Sequence, residues 1–150
     1  MIYWLTGQPG AGKTSLSNGL KSILERKRTF TYKVQQIDGD DMRELFHNKD
    51  YSEKGRRYNI DVAQKIAHYL HNTQQDVIVS LVSPYRDQRE EFKTILGENI
   101  TEIYLHTEDD RPRAEYKVDN YEPPLTNFID FDTSGNLEDN LYRLCKTLKI

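Results

Sequence analysis

One octapeptide constrains this 150-residue chain more than any other stretch of it. Gly7-Gln8-Pro9-Gly10-Ala11-Gly12-Lys13-Thr14, followed by Ser15, matches G-x-x-x-x-G-K-[ST]. Glycines in such a loop let backbone N–H groups turn inward around phosphate oxygens, and the next helix adds the positive end of its dipole. Lys13 is placed to reach the β- and γ-phosphates of a nucleoside triphosphate, and the Thr14 hydroxyl to sit on Mg²⁺. The motif needs a strand before it and a helix after it. Ile2 to Leu5 is a short apolar run ending at Thr6-Gly7, and Leu16, Leu20, Ile23 and Leu24 follow at helical spacing.

The rest of the chain keeps alternating. Val34 to Ile37 reads as a second strand, ended by Asp38-Gly39-Asp40. Ile60, Ala63, Ile66, Ala67 and Leu70 form a helical stripe, and Val77 to Val82 reads as a central strand buried on both faces. A shorter helix carries Phe92, Ile95 and Leu96, and Ile100 to Leu105 is the next strand. Phe128 to Phe131 follows as the last strand, and Leu137, Leu141, Leu144 and Leu148 form a closing helix with Asn136 as its cap. Strands alternating with helices imply parallel strands and right-handed crossovers. The expected fold is a three-layer α/β P-loop domain, one domain over residues 1–150, with about five parallel strands. Ligands in such sheets bind beyond the carboxyl ends of the strands, where each motif falls.

Composition excludes several other classes. The formal net charge of −3 provides no global basic field for nucleic acid. The one cysteine, Cys145, cannot form an internal disulfide, and no apolar run is long enough to span a membrane. The start lacks the basic region and cleavage site of a signal peptide, so the expected compartment is the cytosol. A GTPase would carry Asn-Lys-x-Asp, and Asn48-Lys49-Asp50-Tyr51 lacks the final Asp. An ATPase motor would end its buried central strand on an acid, whereas here Ser83-Pro84 follows. The metal-side carboxylate must come from elsewhere, and the carboxylates of Asp38-Gly39-Asp40 could hold Mg²⁺ or take a proton from an attacking hydroxyl, the plain alternative being a turn followed by a helix cap. From His106 to Asn127 the chain is polar and holds Pro112, Pro123 and Pro124, as an active-site lid would.

Taken in order, these segments resemble the adenylylsulfate (APS) kinase family. Trp4 through Thr14 is similar to its W-x-T-G-L-S-G-A-G-K-[ST], and Ile37-Asp38-Gly39-Asp40-Asp41-Met42-Arg43 to its L-D-G-D-N-[IV]-R. Tyr51-Ser52-Glu53 with Arg56-Arg57-Tyr58-Asn59-Ile60 resembles G-F-S-x-x-x-R-x-x-N-I, and Ser80 to Arg89 resembles S-x-I-S-P-[YF]-R-x-x-R. Tyr121-Glu122-Pro123-Pro124 and Asp132-Thr133-Ser134 resemble its late P-Y-E-P-P and D-T-S. The resemblance implies ATP and Mg²⁺ as cofactors, APS as a small nucleotide acceptor, and phosphorylation of its ribose 3′-hydroxyl to PAPS. It implies Asp40 as base and Mg²⁺ contact beside Thr14, with Lys13 and Asp38 supporting transfer. Arg43, Arg56 and Asn59 would hold the acceptor, and Tyr51 would stack on its adenine. Ser83 resembles a serine proposed to carry a phosphoryl group. Direct in-line transfer suits a kinase of this type better, with Ser83 shaping the pocket and Pro84 and Tyr85 joining it there. A homodimer is left open as the assembly.

Two departures bear on the acceptor. The lid is short and has no F-T-G segment, which supplies the family's second aromatic wall, and the family's N-terminal extension is missing. Arg111, Arg113 and Lys117 keep lid charge, and Tyr116 is a candidate replacement wall. Another small-molecule, nucleoside or polynucleotide-end kinase thus stays open as an alternative, as does a nucleotide-binding partner protein without turnover. Other features have plainer readings. His68 and His71 lack a third ligand, Cys145 reads as a small buried apolar residue, Glu108-Asp109-Asp110 as a solvated loop, and the tyrosines other than Tyr51 as packing residues. Arg86 and Arg89 either brace a helix start or line the site.

Overall fold

The computed structural model describes residues 1–27 and 33–150, so Tyr32 among the tyrosines lies outside the described residues. Five strands form one parallel sheet: β1 Ile2–Thr6, β2 Val34–Asp38, β3 Asp76–Ser80, β4 Ile100–His106 and β5 Phe128–Asp132. The spatial order is β2-β3-β1-β4-β5, which makes the P-loop strand the middle one. The helices are α1 Lys13–Lys27, α2 Gly39–Leu45, α3 Glu53–Asn72, α4 Arg86–Leu96 and α5 Leu137–Leu148.

Strand alternation produces three layers. Tyr3 and Leu5 of β1 pack with Leu16, Leu20 and Leu24 of α1 and Leu144 of α5. Ile2 and Trp4 point the other way and pack with Ile60, Ala63 and Ala67 of α3 and Phe92 and Leu96 of α4. The Trp4 and Phe92 rings meet edge-on with centroids 5.3 Å apart. A strand covered on both faces reads as continuously apolar, which is the pattern of Ile2–Leu5 and Val77–Val79.

Several sequence expectations shift here. The run Val77 to Val82 leaves the sheet after Ser80, and β3 lies beside the central strand. Gly39–Leu45 is a helix the apolar pattern did not mark, because it buries no residue. Ile95 is 59% exposed, so the α4 stripe rests on Phe92 and Leu96. Tyr58, Tyr69 and Tyr142 are exposed, not packed. Asn136 does cap α5, accepting from the Asp139 N–H. Cys145 is only half-buried. Asp109 is tied to Arg111 and to the Gly135 N–H. Among the described residues no cluster of His, Cys, Asp or Glu could hold a metal by itself, and no helix is long and apolar enough to cross a membrane.

Arg89 braces the structure. It is 2% exposed, and its Nε lies 2.8 Å from Oε1 of Glu102, which is 1% exposed. Lys93 Nζ reaches the other Glu102 oxygen at 2.7 Å. Arg89 also donates to the carbonyls of Ser83 and Glu122, tying the loop after β3 to the base of the lid. Arg86 adds a bond to the Pro123 carbonyl at 2.9 Å.

Candidate active site

The order β2-β3-β1-β4-β5 sends the chain to either side of β1, so a crevice opens above the carboxyl ends of the middle strands. The glycine loop rises out of β1 into that crevice. Gly7, Gly10 and Gly12 all have positive φ, which frees the backbone to curl around an anion. Lys13 Nζ donates to the carbonyls of Gly7 at 2.9 Å and Gln8 at 2.8 Å, holding the ammonium across the loop. Burial lowers the Lys13 pKa to about 8, nearby Arg113 pushes the same way, and Asp38 and Asp40 pull against both.

Asp38 ends β2 and does three jobs. One carboxylate oxygen accepts from the Thr14 hydroxyl at 3.0 Å and from the Ser80 hydroxyl at 2.9 Å. The other caps α2 by accepting from the Asp40 N–H at 3.0 Å. The sheet sets this up, since Asp38 and Ser80 are register partners. Asp38 is thus the cap of α2 and also faces the P-loop through the Thr14 hydroxyl. Asp40 stands two residues on, in the first turn of α2, with Oδ2 3.2 Å from the Arg113 guanidinium.

Two cavities meet here. The first, about 460 Å³, is lined by Pro9, Gly10, Gly12 to Leu16, Asp38 to Asp40, Arg111 to Arg113, Thr133 and Asn140, among others. The second, about 550 Å³, is lined by Arg43, Tyr51, Arg56, Asn59, Ile60, Ser83, Pro84, Tyr116 and Lys117, among others. Pro9, Gly39, Asp40, Leu81, Val82 and Arg113 line both, so the cavities join at Asp40.

Most sequence candidates converge on this pair of cavities. Gly10, Gly12, Lys13, Thr14 and Ser15 line the first. Gly7, Gln8 and Ala11 shape the loop from behind. Gln8 bonds the Val118 backbone, and Ala11 is buried with its carbonyl taken by Thr133. Arg56 and Asn59, three apart on α3, share one face and one cavity with Arg43. Asn59 Nδ2 also donates to the Gly39 carbonyl at 3.3 Å. Tyr51 is 61% exposed, and the Arg43 guanidinium already sits 4.0 Å from its ring centroid. Ser83 is 1% exposed at φ 45°, and its Oγ has no hydrogen-bond partner among the described residues. Tyr85 does not line the acceptor cavity. Its ring lies under the Arg57 guanidinium, 4.2 Å away, because it precedes α4 and turns toward the α3 side.

Sequence reasoning missed Thr133, Asn140 and Ser80. Thr133 accepts from Arg111 at 3.2 Å and donates to the Ala11 and His106 carbonyls, joining the end of β5, the lid and the P-loop. Its signal was present as Asp132-Thr133-Ser134 at a strand end, without a role attached.

A family model for adenylylsulphate kinase matches residues 1–122 of this chain. The chain belongs to the adenylylsulphate kinase family. An adenylyl-sulfate kinase of Rippkaea orientalis is 30% identical over an alignment covering 99% of this chain and 91% of that protein. One of Buchnera aphidicola is 33% identical over 71% of this chain, a match that spans half of that relative's length. The solved APS kinase of Mycobacterium tuberculosis, in complex with AMPPNP and APS, superposes with a TM-score of 0.79 over 99% of this chain and 97% of that one. At 19% identity it supports the P-loop kinase fold.

Proposed function

We propose that this chain transfers the γ-phosphoryl group of ATP to the ribose 3′-hydroxyl of adenylylsulfate, releasing ADP and PAPS. The observation that carries this reading is the joining of a P-loop cavity to an arginine-lined second cavity at one carboxylate, Asp40. A phosphate–sulfate anhydride calls for cations, and Arg43 and Arg56 offer forked donors to its oxygens. Family membership supports the same acceptor.

The donor set suits Mg²⁺. A hydroxyl and a carboxylate, Thr14 and Asp38, meet at 3.0 Å, with Asp40 two residues further along the chain. Mg²⁺ is commonly held by one or two carboxylates plus substrate phosphates, without a full protein cage. When bound, it would neutralise phosphate charge as transfer proceeds. The chain's own residues do the rest. The P-loop amides and Lys13 hold the triphosphate. Arg43, Arg56 and Asn59 hold the acceptor so that its 3′-oxygen faces the γ-phosphorus. Asp40 accepts the 3′-hydroxyl proton as the new P–O bond forms and the bond to the β-phosphate oxygen breaks. Ser83 shapes the wall without entering the transfer. The proposed compartment is the cytosol.

The test is ADP release from Mg-ATP with and without APS. APS-dependent ADP formation that drops by about 10²–10⁴-fold in Asp40→Asn supports both the acceptor and the base. Nucleotide binding without APS-dependent turnover would reject APS, and a panel of other hydroxyl acceptors would then identify the substrate.

A further inference from the structure

Among the described residues, Lys13 and Arg111 line only the nucleotide cavity, and Arg43, Arg56 and Lys117 line only the acceptor cavity. Arg113 is the one cation that lines both. Arg113 therefore stands at the join of the two cavities, beside Asp40. Building on the phosphoryl-transfer reading above, we propose that Arg113 is a catalytic residue, the lid cation that meets the phosphoryl group in transit and stabilises its charge.

The lid is built to hold Arg113 there. Its backbone sits at φ 72°, a left-handed conformation that residues with a Cβ rarely adopt. Such an outlier persists only where its surroundings hold it, and anchors lie on both sides. Upstream, Arg111 donates to the side chain and carbonyl of Thr133. Downstream, the Gln8 side-chain amide pairs with both backbone groups of Val118, at 2.9 and 2.8 Å. Between them the lid lies so close that a Cβ on Gly10 would come within 3.1 Å of the Pro112 carbonyl. The P-loop and the segment carrying Arg113 therefore form one packed unit, made partly by Gln8, a motif position that the phosphate cradle leaves free.

The present partner of Arg113 can be exchanged. Its ion pair with Asp40 spans 3.2 Å, and the two side chains are 59% and 66% exposed, so water and salt screen the pair strongly. A transferring phosphoryl group spreads negative charge over three equatorial oxygens, which a planar guanidinium can meet with two parallel N–H groups. When Arg113 turns to those oxygens, the Asp40 carboxylate is released to take the 3′-hydroxyl proton. One side chain thereby guards the base at rest and stabilises charge during transfer.

The experiment compares wild type with Arg113→Met and Arg113→Lys in two arms. In steady state with Mg-ATP and APS, Arg113→Met should lose about 10³-fold or more in kcat, the range of a supplied arginine, with little change in either KM. Arg113→Lys should recover part of the loss, since it restores charge without the fork. In the second arm, Mg-ADP binding is measured with and without aluminium fluoride, a planar mimic of the moving phosphoryl group, and without acceptor. Wild type should bind the fluoride complex more tightly than ADP alone, and Arg113→Met should lose that gain while binding ADP normally. An unchanged kcat, a loss confined to KM, or a fluoride gain that survives in Arg113→Met would each overturn the proposal. Should wild type make no ADP with APS, the acceptor reading fails and the fluoride arm still decides the role of Arg113.

Discussion

Binding ATP to this site should consume a proton at alkaline pH, because Lys13 is held as a poor base until phosphate arrives. Its pKa lies at about 8, against an ordinary 10.5, with burial as the main cause. Bound triphosphate returns the ammonium to at least its ordinary pKa, while the phosphates themselves are already fully ionised above pH 8. At pH 9 about nine-tenths of the free sites have lost the proton, so each nucleotide bound should take up about 0.9 proton, and affinity should be about tenfold weaker than at pH 7. Where bound triphosphate restores the ordinary 10.5, the weakening levels off at about 300-fold, or roughly 3 kcal/mol. Fold stability shows the same linkage with its own sign. Between pH 8 and 10.5 the unfolded chain binds the proton better, so the contribution of Lys13 to stability rises with pH across that window. Calorimetric titration with ATP at pH 7, 8 and 9, in two buffers of different ionisation heat, measures the uptake directly. Lys13→Arg keeps a charge that does not titrate in this range and should abolish the uptake. Nucleotide binding with no proton uptake in wild type, or uptake that persists in Lys13→Arg, would refute the reasoning.

Two further substitutions test the scaffold. Arg89→Met leaves Glu102 buried with Lys93 alone and releases the Ser83 and Glu122 carbonyls, so denaturant unfolding should show a loss of about 3–5 kcal/mol, typical of breaking a buried ion pair. Gly55→Ala should destabilise although alanine favours helices by about 1 kcal/mol. A Cβ there would lie 2.1 Å from the Asp50 carbonyl oxygen, and the overpacking cost of about 1–3 kcal/mol outweighs the gain. Displacing Asp50 also disturbs the carbonyl that Arg43 donates to at 3.0 Å, so the acceptor KM should rise as stability falls.

The sequence alone settled whatever local chemistry determines. The P-loop motif can be read because its fixed positions, Gly7, Gly12, Lys13 and Thr14, have backbone or phosphate duties that few residue types perform, and the structure puts it between β1 and α1 as required. The apolar run from Val77 announced two-sided burial, and the alternation of strands with helices announced parallel pairing, which the sheet shows. Arg56 and Asn59 could be grouped from their spacing because a helix repeats over short range.

Tertiary structure decided what depends on distant segments arriving together. Which strand lies in the middle is a matter of sheet order, which no local pattern encodes. Asp38 became the partner of Thr14 only when β2 lined up with β3 beside the P-loop helix. Tyr85 turned toward Arg57 instead of the acceptor cavity because the direction of α4 set its side-chain vector. Arg89 was ambiguous in sequence, since a buried brace and a site arginine look alike until Glu102 arrives from β4. Thr133 and Arg113 reach the site from segments more than a hundred residues and seventy residues away from their partners Ala11 and Asp40. Local patterns register the energy of neighbours along the chain, and these contacts exist only once the sheet has brought its carboxyl ends into one crevice.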